Sequence, residues 1–140
     1  MFVTFYRHLL LAAVLTLGLT AHSEAAQITG LESPNSFVGD PSGKDYFISN
    51  INGEPDARDN NGFITKLDTE GKITHLKFIQ GGVSDVLLHA PNGMAVIGSM
   101  LYIADLDQLK GFDKTTGKLL TTVSFPSRPY GQVSLTDVAA

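Results

Sequence analysis

No cysteine and no tryptophan occur in this chain of 140 residues. Without cysteine there is no disulfide to staple a small core, no thiolate nucleophile and no soft ligand for zinc. Stability must then come from packing, and a metal, if held, would be a hard cation on oxygen ligands. His75 and His89 do not sit at the short spacing of a metal-binding pair. Basic residues are also few: ten Lys and Arg against fourteen Asp and Glu give a net charge of −4. That balance argues against nucleic acid or an anionic membrane surface as partner. Past the first twenty residues there is no long apolar run and no amphipathic helical period, which leaves short strands as the available secondary structure. The chain has no G-x-S-x-G elbow, P-loop or dinucleotide fingerprint, because Gly81-Gly82 and Gly93 lack the companions those motifs need. No nucleotide or haem cofactor is expected.

The first twenty-six residues differ from the rest. Arg7 and His8 precede the apolar run Leu9–Leu19, and the small residues Ser23, Ala25 and Ala26 follow. A basic start, a short apolar centre and a small-residue exit describe a secretory signal peptide cleaved near Ala25 or Ala26. The run is shorter than the ~20 residues of a spanning helix. The expectation is residues 1–26 as leader and 27–140 as a periplasmic or secreted domain, with no membrane attachment after cleavage.

The centre of the remaining sequence is Leu88–Asp107. Two apolar runs, Met94–Ile97 and Leu101–Ala104, flank Gly98-Ser99-Met100, with Pro91-Asn92-Gly93 before them and Asp105 and Asp107 after. Short apolar runs around a Gly-Ser turn predict a β-hairpin. Upstream, strands are predicted at Asn35–Val38, Tyr46–Ser49, Phe63–Leu67 and Ile73–Ile79, separated by turn residues and by a polar loop, 54–62, read as a solvated insertion. An EF-hand reading of that loop fails, since Ala57 falls where the first acidic ligand belongs. The pattern then repeats. Lys44–Asn50 corresponds to Ser99–Asp105, and the stretch holding Asp68…Gly71-Lys72 to that holding Asp113…Gly117-Lys118, about 45 residues apart. A strand at Leu119–Phe125 follows the second turn as Ile73–Ile79 follows the first. The fold class is all-β, and four short strands per unit at this period predict β-propeller blades.

These residues carry a resemblance. Glu32-Ser33-Pro34, Tyr46-Phe47-Ile48-Ser49-Asn50, Ala90-Pro91-Asn92-Gly93-Met94-Ala95, Leu101-Tyr102-Ile103-Ala104-Asp105 and Phe112-Asp113-x-x-Thr116-Gly117 resemble the six-bladed propellers of the gluconolactonase/regucalcin (senescence-marker-protein) family and the related NHL-repeat proteins. The resemblance covers nearly all of residues 27–140. A six-bladed ring needs about six such units, and here there are two plus the opening strand of a third at Gly131–Ala140. The expectation is therefore either a truncated fragment, which is favoured, or a chain whose copies associate to close a ring.

In the lactonase-like members the resemblance implies a divalent cation, usually Ca²⁺, at the mouth of the central channel, held by a Glu, an Asn and an Asp. Glu32 in Glu-Ser-Pro and Asn92 in Pro-Asn-Gly-Met match two of those positions. Asp137 in Thr-Asp-Val resembles the third, although Thr136 stands where the family has Asn. Beside this stands the plainer alternative that Glu32 is a solvated turn acid and Asn92 a turn residue next to Gly93. His89 is a candidate base on a metal-bound water, or else structural. Asp105 and Asp107 either face the channel or cap turns by accepting backbone N–H groups. The leading functional expectation is a Ca²⁺-dependent lactone hydrolase or sugar-acid-binding propeller acting on a small molecule. The alternative is a non-catalytic NHL-type propeller that binds protein or ligand.

Overall fold

The computed structural model describes residues 27–126 and 133–139, so the expected leader lies outside the described residues. The central hairpin forms as expected: β5 (Pro91–Ile97) and β6 (Met100–Asp105) pair antiparallel, with Ile97 opposite Met100 across Gly98-Ser99. β7 (Gln108–Asp113) and β8 (Leu119–Ser124) extend the sheet outward. The first repeat builds a second sheet in the same order from β1 (Pro34–Gly39), β2 (Tyr46–Asn50), β3 (Phe63–Leu67) and β4 (Ile73–Gln80). The described residues are thus all-β, two four-stranded antiparallel meanders without a helix, and neither sheet closes on itself.

The turns explain why the sequence repeats where it does. Asp68 N–H donates to Lys72 O at 2.9 Å, and Asp113 N–H to Lys118 O at 2.9 Å. In each turn the leading Asp carboxylate accepts backbone N–H groups inside the loop: Glu70 and Lys72 in the first, Thr115 and Thr116 in the second. Gly71 and Gly117 take the left-handed φ (78° and 72°) that closes each turn without a Cβ clash. The second turn is one residue longer than the first.

One apolar layer joins the sheets. Cross-strand partners share a face, so Val38, Phe47 and Ile64 point the same way from the first sheet. They meet Met94, Val96, Leu101, Ile103 and Phe112 of the second, with Ile79 and Leu88 completing the cluster. Each large side chain fully buried here contributes about 1.5–3 kcal/mol. The opposite faces lie at the ends of the stack. On the first sheet Phe37 stacks on Tyr46, with ring centroids 5.2 Å apart, and is largely exposed. On the second, register places Ala95, Tyr102 and Gly111 together, and Leu109 with Val123.

The loop 54–62 corrects the sequence reading. It is not a free insertion but the latch between the sheets. Asn60 Oδ1 accepts the Leu88 N–H at 2.8 Å, Gly62 N–H donates to Leu88 O at 3.1 Å, and Arg58 pairs with Asp107 at 2.8 Å. A Cβ on Gly62 would lie 2.4 Å from Pro91 Cδ and 2.6 Å from His89 O, so the loop's last residue must be glycine for the chain to pass. A second bridge at the other end of the sheets joins Lys114 to Asp40 at 2.8 Å.

Candidate functional site

The first strands of the two sheets begin with the same dipeptide, Pro34-Asn35 and Pro91-Asn92. Pro34 lies opposite Asn50 and Pro91 opposite Asp105, so the two dipeptides occupy equivalent places. β1 runs beside β5, and the two asparagines meet. Asn35 Nδ2 donates to Asn92 Oδ1 at 2.6 Å, and Asn92 Nδ2 donates onward to Leu135 O at 3.1 Å. Residues 133–139 lie against this end of β5 without forming a strand. Gly93 N–H donates to Thr136 O at 3.1 Å, and Leu135 N–H to Leu106 O at 2.6 Å. A Cβ on Gly93 would sit 2.3 Å from Asp137 Oδ1, so only glycine admits the segment this closely. Three chain segments therefore come side by side, joined by a row of hydrogen bonds through Asn35 and Asn92.

Asn92 and Asp137 are brought together here. Glu32 lies just before β1, tied by its backbone: its N–H donates to Asn50 Oδ1 at 3.1 Å and its carbonyl accepts from Asn52 N–H at 3.1 Å, while the residue is exposed. As a cation site the set is only partly suited. Asn92 Oδ1 is engaged by Asn35, Asp137 Oδ1 accepts the N–H of Val138 at 2.8 Å, and no three His, Asp or Glu residues among those described cluster as metal ligands would. Nothing in the sequence marks Asn35 as a site residue except the repeated Pro-Asn dipeptide.

His89 is tied to the loop that precedes β3. Its Nδ1 accepts the Asn60 N–H at 3.0 Å, so the neutral ring carries its proton on Nε2 and the lone pair on Nδ1 is occupied. Its own N–H donates to the Asp105 carboxylate at 3.1 Å.

Beneath the strand ends lie two buried polar nodes at equivalent positions. In the first sheet Asn50 Nδ2 donates to Thr65 Oγ1 at 3.1 Å, and the Thr65 hydroxyl donates to Leu76 O at 2.7 Å. In the second, Asp105 (1% exposed) takes the N–H groups of His89 and Ala90 and pairs with Lys110 (2% exposed), whose ammonium also donates to Leu87 O. Asp105 is therefore a cap, one of the two roles read from sequence. Its neighbour Asp107 faces Arg58, whose guanidinium hydrogen bond holds that carboxyl below its usual range against the opposing effect of burial. At Asp40 burial works to raise the carboxyl, but the hydrogen bonds from Lys114 and Ser42 outweigh it and the net shift is downward. His75 is exposed on β4, its ring 6.0 Å from that of Phe78.

No protein-family model, curated protein or solved structure matches this chain. The arrangement of its own residues is what bears on function.

Proposed function

We propose that this chain is part of an exported propeller-type binding module, non-catalytic and of the NHL-repeat kind, that takes a small-molecule or peptide ligand at the end of the sheets where Asn35, Asn92 and residues 133–139 converge. The observation that carries this reading is the row of hydrogen bonds from Asn35 through Asn92 to Leu135. It ties the amide that a metal-dependent lactonase would turn toward its cation, and it lines up polar groups of successive segments as a rim for recognition. The engaged lone pair of His89 supports the same side, because a base needs that pair free. The apolar outer face of the second sheet supports the propeller architecture: it carries Tyr102 where the covered face of the first carries Phe47, and so suits a further sheet.

The second reading, a Ca²⁺-dependent lactonase-type hydrolase, is favoured by one observation, the approach of Asp137 to Gly93 beside Asn92. In that case Asn92, Asp137 and Glu32 would hold the cation, which would supply Lewis-acid polarisation of a lactone carbonyl. Calorimetric titration of the protein with Ca²⁺, run alongside a pH-stat assay on aldonolactones, separates the two. The binding-module reading expects no saturable Ca²⁺ heat and no turnover above buffer. Ca²⁺-dependent turnover that disappears in Asn92→Ala and Asp137→Ala would overturn it in favour of the hydrolase.

A further inference from the structure

The two sheets end on outermost strands that differ in charge. β4 carries His75 and Lys77 within the strand, whereas β8, Leu119–Ser124, has no charged side chain. Charged residues, lysine above all, are what keep an open strand edge from pairing with another chain. On β8 Leu120 and Val123 are 53% and 48% exposed, and no described strand pairs with its outer side.

The ladder defines which backbone groups face outward. Gln108, Leu109, Lys110 and Gly111 lie opposite Ser124, Val123, Thr122 and Thr121, and Phe125 N–H donates to Asp107 O at 2.8 Å in the same register. Alternate residues of an antiparallel ladder exchange both bonds with the partner strand. Thr121, Val123 and Phe125 therefore turn their backbone groups toward β7, while Thr122 and Ser124 turn theirs away from it.

We propose that β8 pairs antiparallel with β8 of a second copy of this chain, across a two-fold axis at Val123. Thr122 of each strand then exchanges both backbone bonds with Ser124 of the other, so the outward groups of these two positions meet their complements. Val123 faces Val123 as a non-hydrogen-bonded pair, whose Cα atoms sit about 4.5 Å apart. A second copy is the occupant that the charge pattern favours. Chains of net charge −4 repel one another over most of their surface, and an uncharged strand lets two of them meet without opposing like charges. This association lies outside the proposed binding role and does not depend on it.

The absence of cysteine makes the test clean. In the full chain, Val123→Cys places a single thiol on the axis at a separation within the disulfide range of about 4.4–6.8 Å. Mild oxidation is expected to convert it to a covalent dimer, while Thr74→Cys, exposed on β4, stays monomeric under the same treatment. Light scattering is expected to give twice the chain mass for the unaltered protein and the chain mass for Thr122→Lys/Ser124→Lys. A monomer at the highest soluble concentration, a dimer that survives the two lysines, or equal crosslinking at positions 74 and 123 would each overturn the proposal. If the lysine variant fails to fold, the comparison of the two cysteine variants decides.

Discussion

Asp105 and Asn50 are the same residue of two repeats, and they do the same job with different charge. Each closes the second strand of its sheet and accepts N–H groups from the segment entering the first strand: Glu32 for Asn50, His89 and Ala90 for Asp105. The partner changes in step, from the Thr65 hydroxyl to the Lys110 ammonium.

Asp105→Asn keeps the acceptor for the two N–H groups but leaves the Lys110 ammonium buried without its counter-charge. The expected loss is about 3–5 kcal/mol. Adding Lys110→Met, which keeps the apolar stem and removes the charge, is expected to restore more than half of it. Urea midpoints of the two single variants and the double variant measure the coupling. Losses that merely add would contradict the assignment.

Gly62→Ala is expected to cost about 1–3 kcal/mol, because the new methyl meets Pro91 and the His89 carbonyl in the packed joint between sheets. Gly43→Ala meets no atom within 4 Å and carries only the strain of its positive φ, about 1–2 kcal/mol. Thermal midpoints should rank Gly62→Ala as the more destabilised, and the reverse order would show that the loop is not pinned there.

Asn60→Ala removes the acceptor for Leu88 N–H and is expected to cost about 1–3 kcal/mol. Asn60→Asp retains that oxygen and should lose much less. Arg58→Ala breaks a rim ion pair and should cost under about 1 kcal/mol. Limited proteolysis within residues 54–62 is the second readout, expected to quicken for Asn60→Ala and not for Asn60→Asp.

The carboxyls of Asp40 and Asp107 are held below their usual value of 3.8 in the folded protein. Groups shifted this way stabilise the fold above the unfolded value and lose that contribution as pH falls through the folded one. The contribution of these two carboxyls should thus be level from neutral pH down to about pH 4 and decline below it. Lys114→Met removes the ammonium that lowers Asp40, and should flatten the acid limb of a plot of urea midpoint against pH. An unchanged limb would remove Asp40 from the account.

The strands were legible because each is an apolar run bounded by turn residues: Phe63–Leu67 matches β3 at both ends, and the other strands predicted up to Phe125 fall within a few residues of the observed ones. Position along the chain sufficed, since these signals are local. The opening strand expected at Gly131–Ala140 does not form among the described residues 133–139, whose bonds to Asn92 and Gly93 are too few to make a ladder. The joint between sheets was not legible. Asn60 looks like any polar loop residue, and the groups it binds lie 28 and 29 residues away. The candidate site falls between these cases. Asn92 and Asp137 were readable as a motif and do come together, but the hydrogen bond that orients Asn92 comes from Asn35, 57 residues distant. Only the repeated Pro-Asn dipeptide hinted at it.

Chains built from near-copies face a hazard during folding, since a strand of one copy can find the wrong hairpin. The two buried nodes keep the copies distinct. A hairpin mixing β6 with β3 would set the Asp105 carboxylate against Thr65, and one mixing β2 with β7 would set Lys110 against Asn50. Each exchange would strand an ion in the interior at a cost of several kcal/mol. The Asp105–Lys110 pair thus acts as a key by which each repeat recognises its own strands.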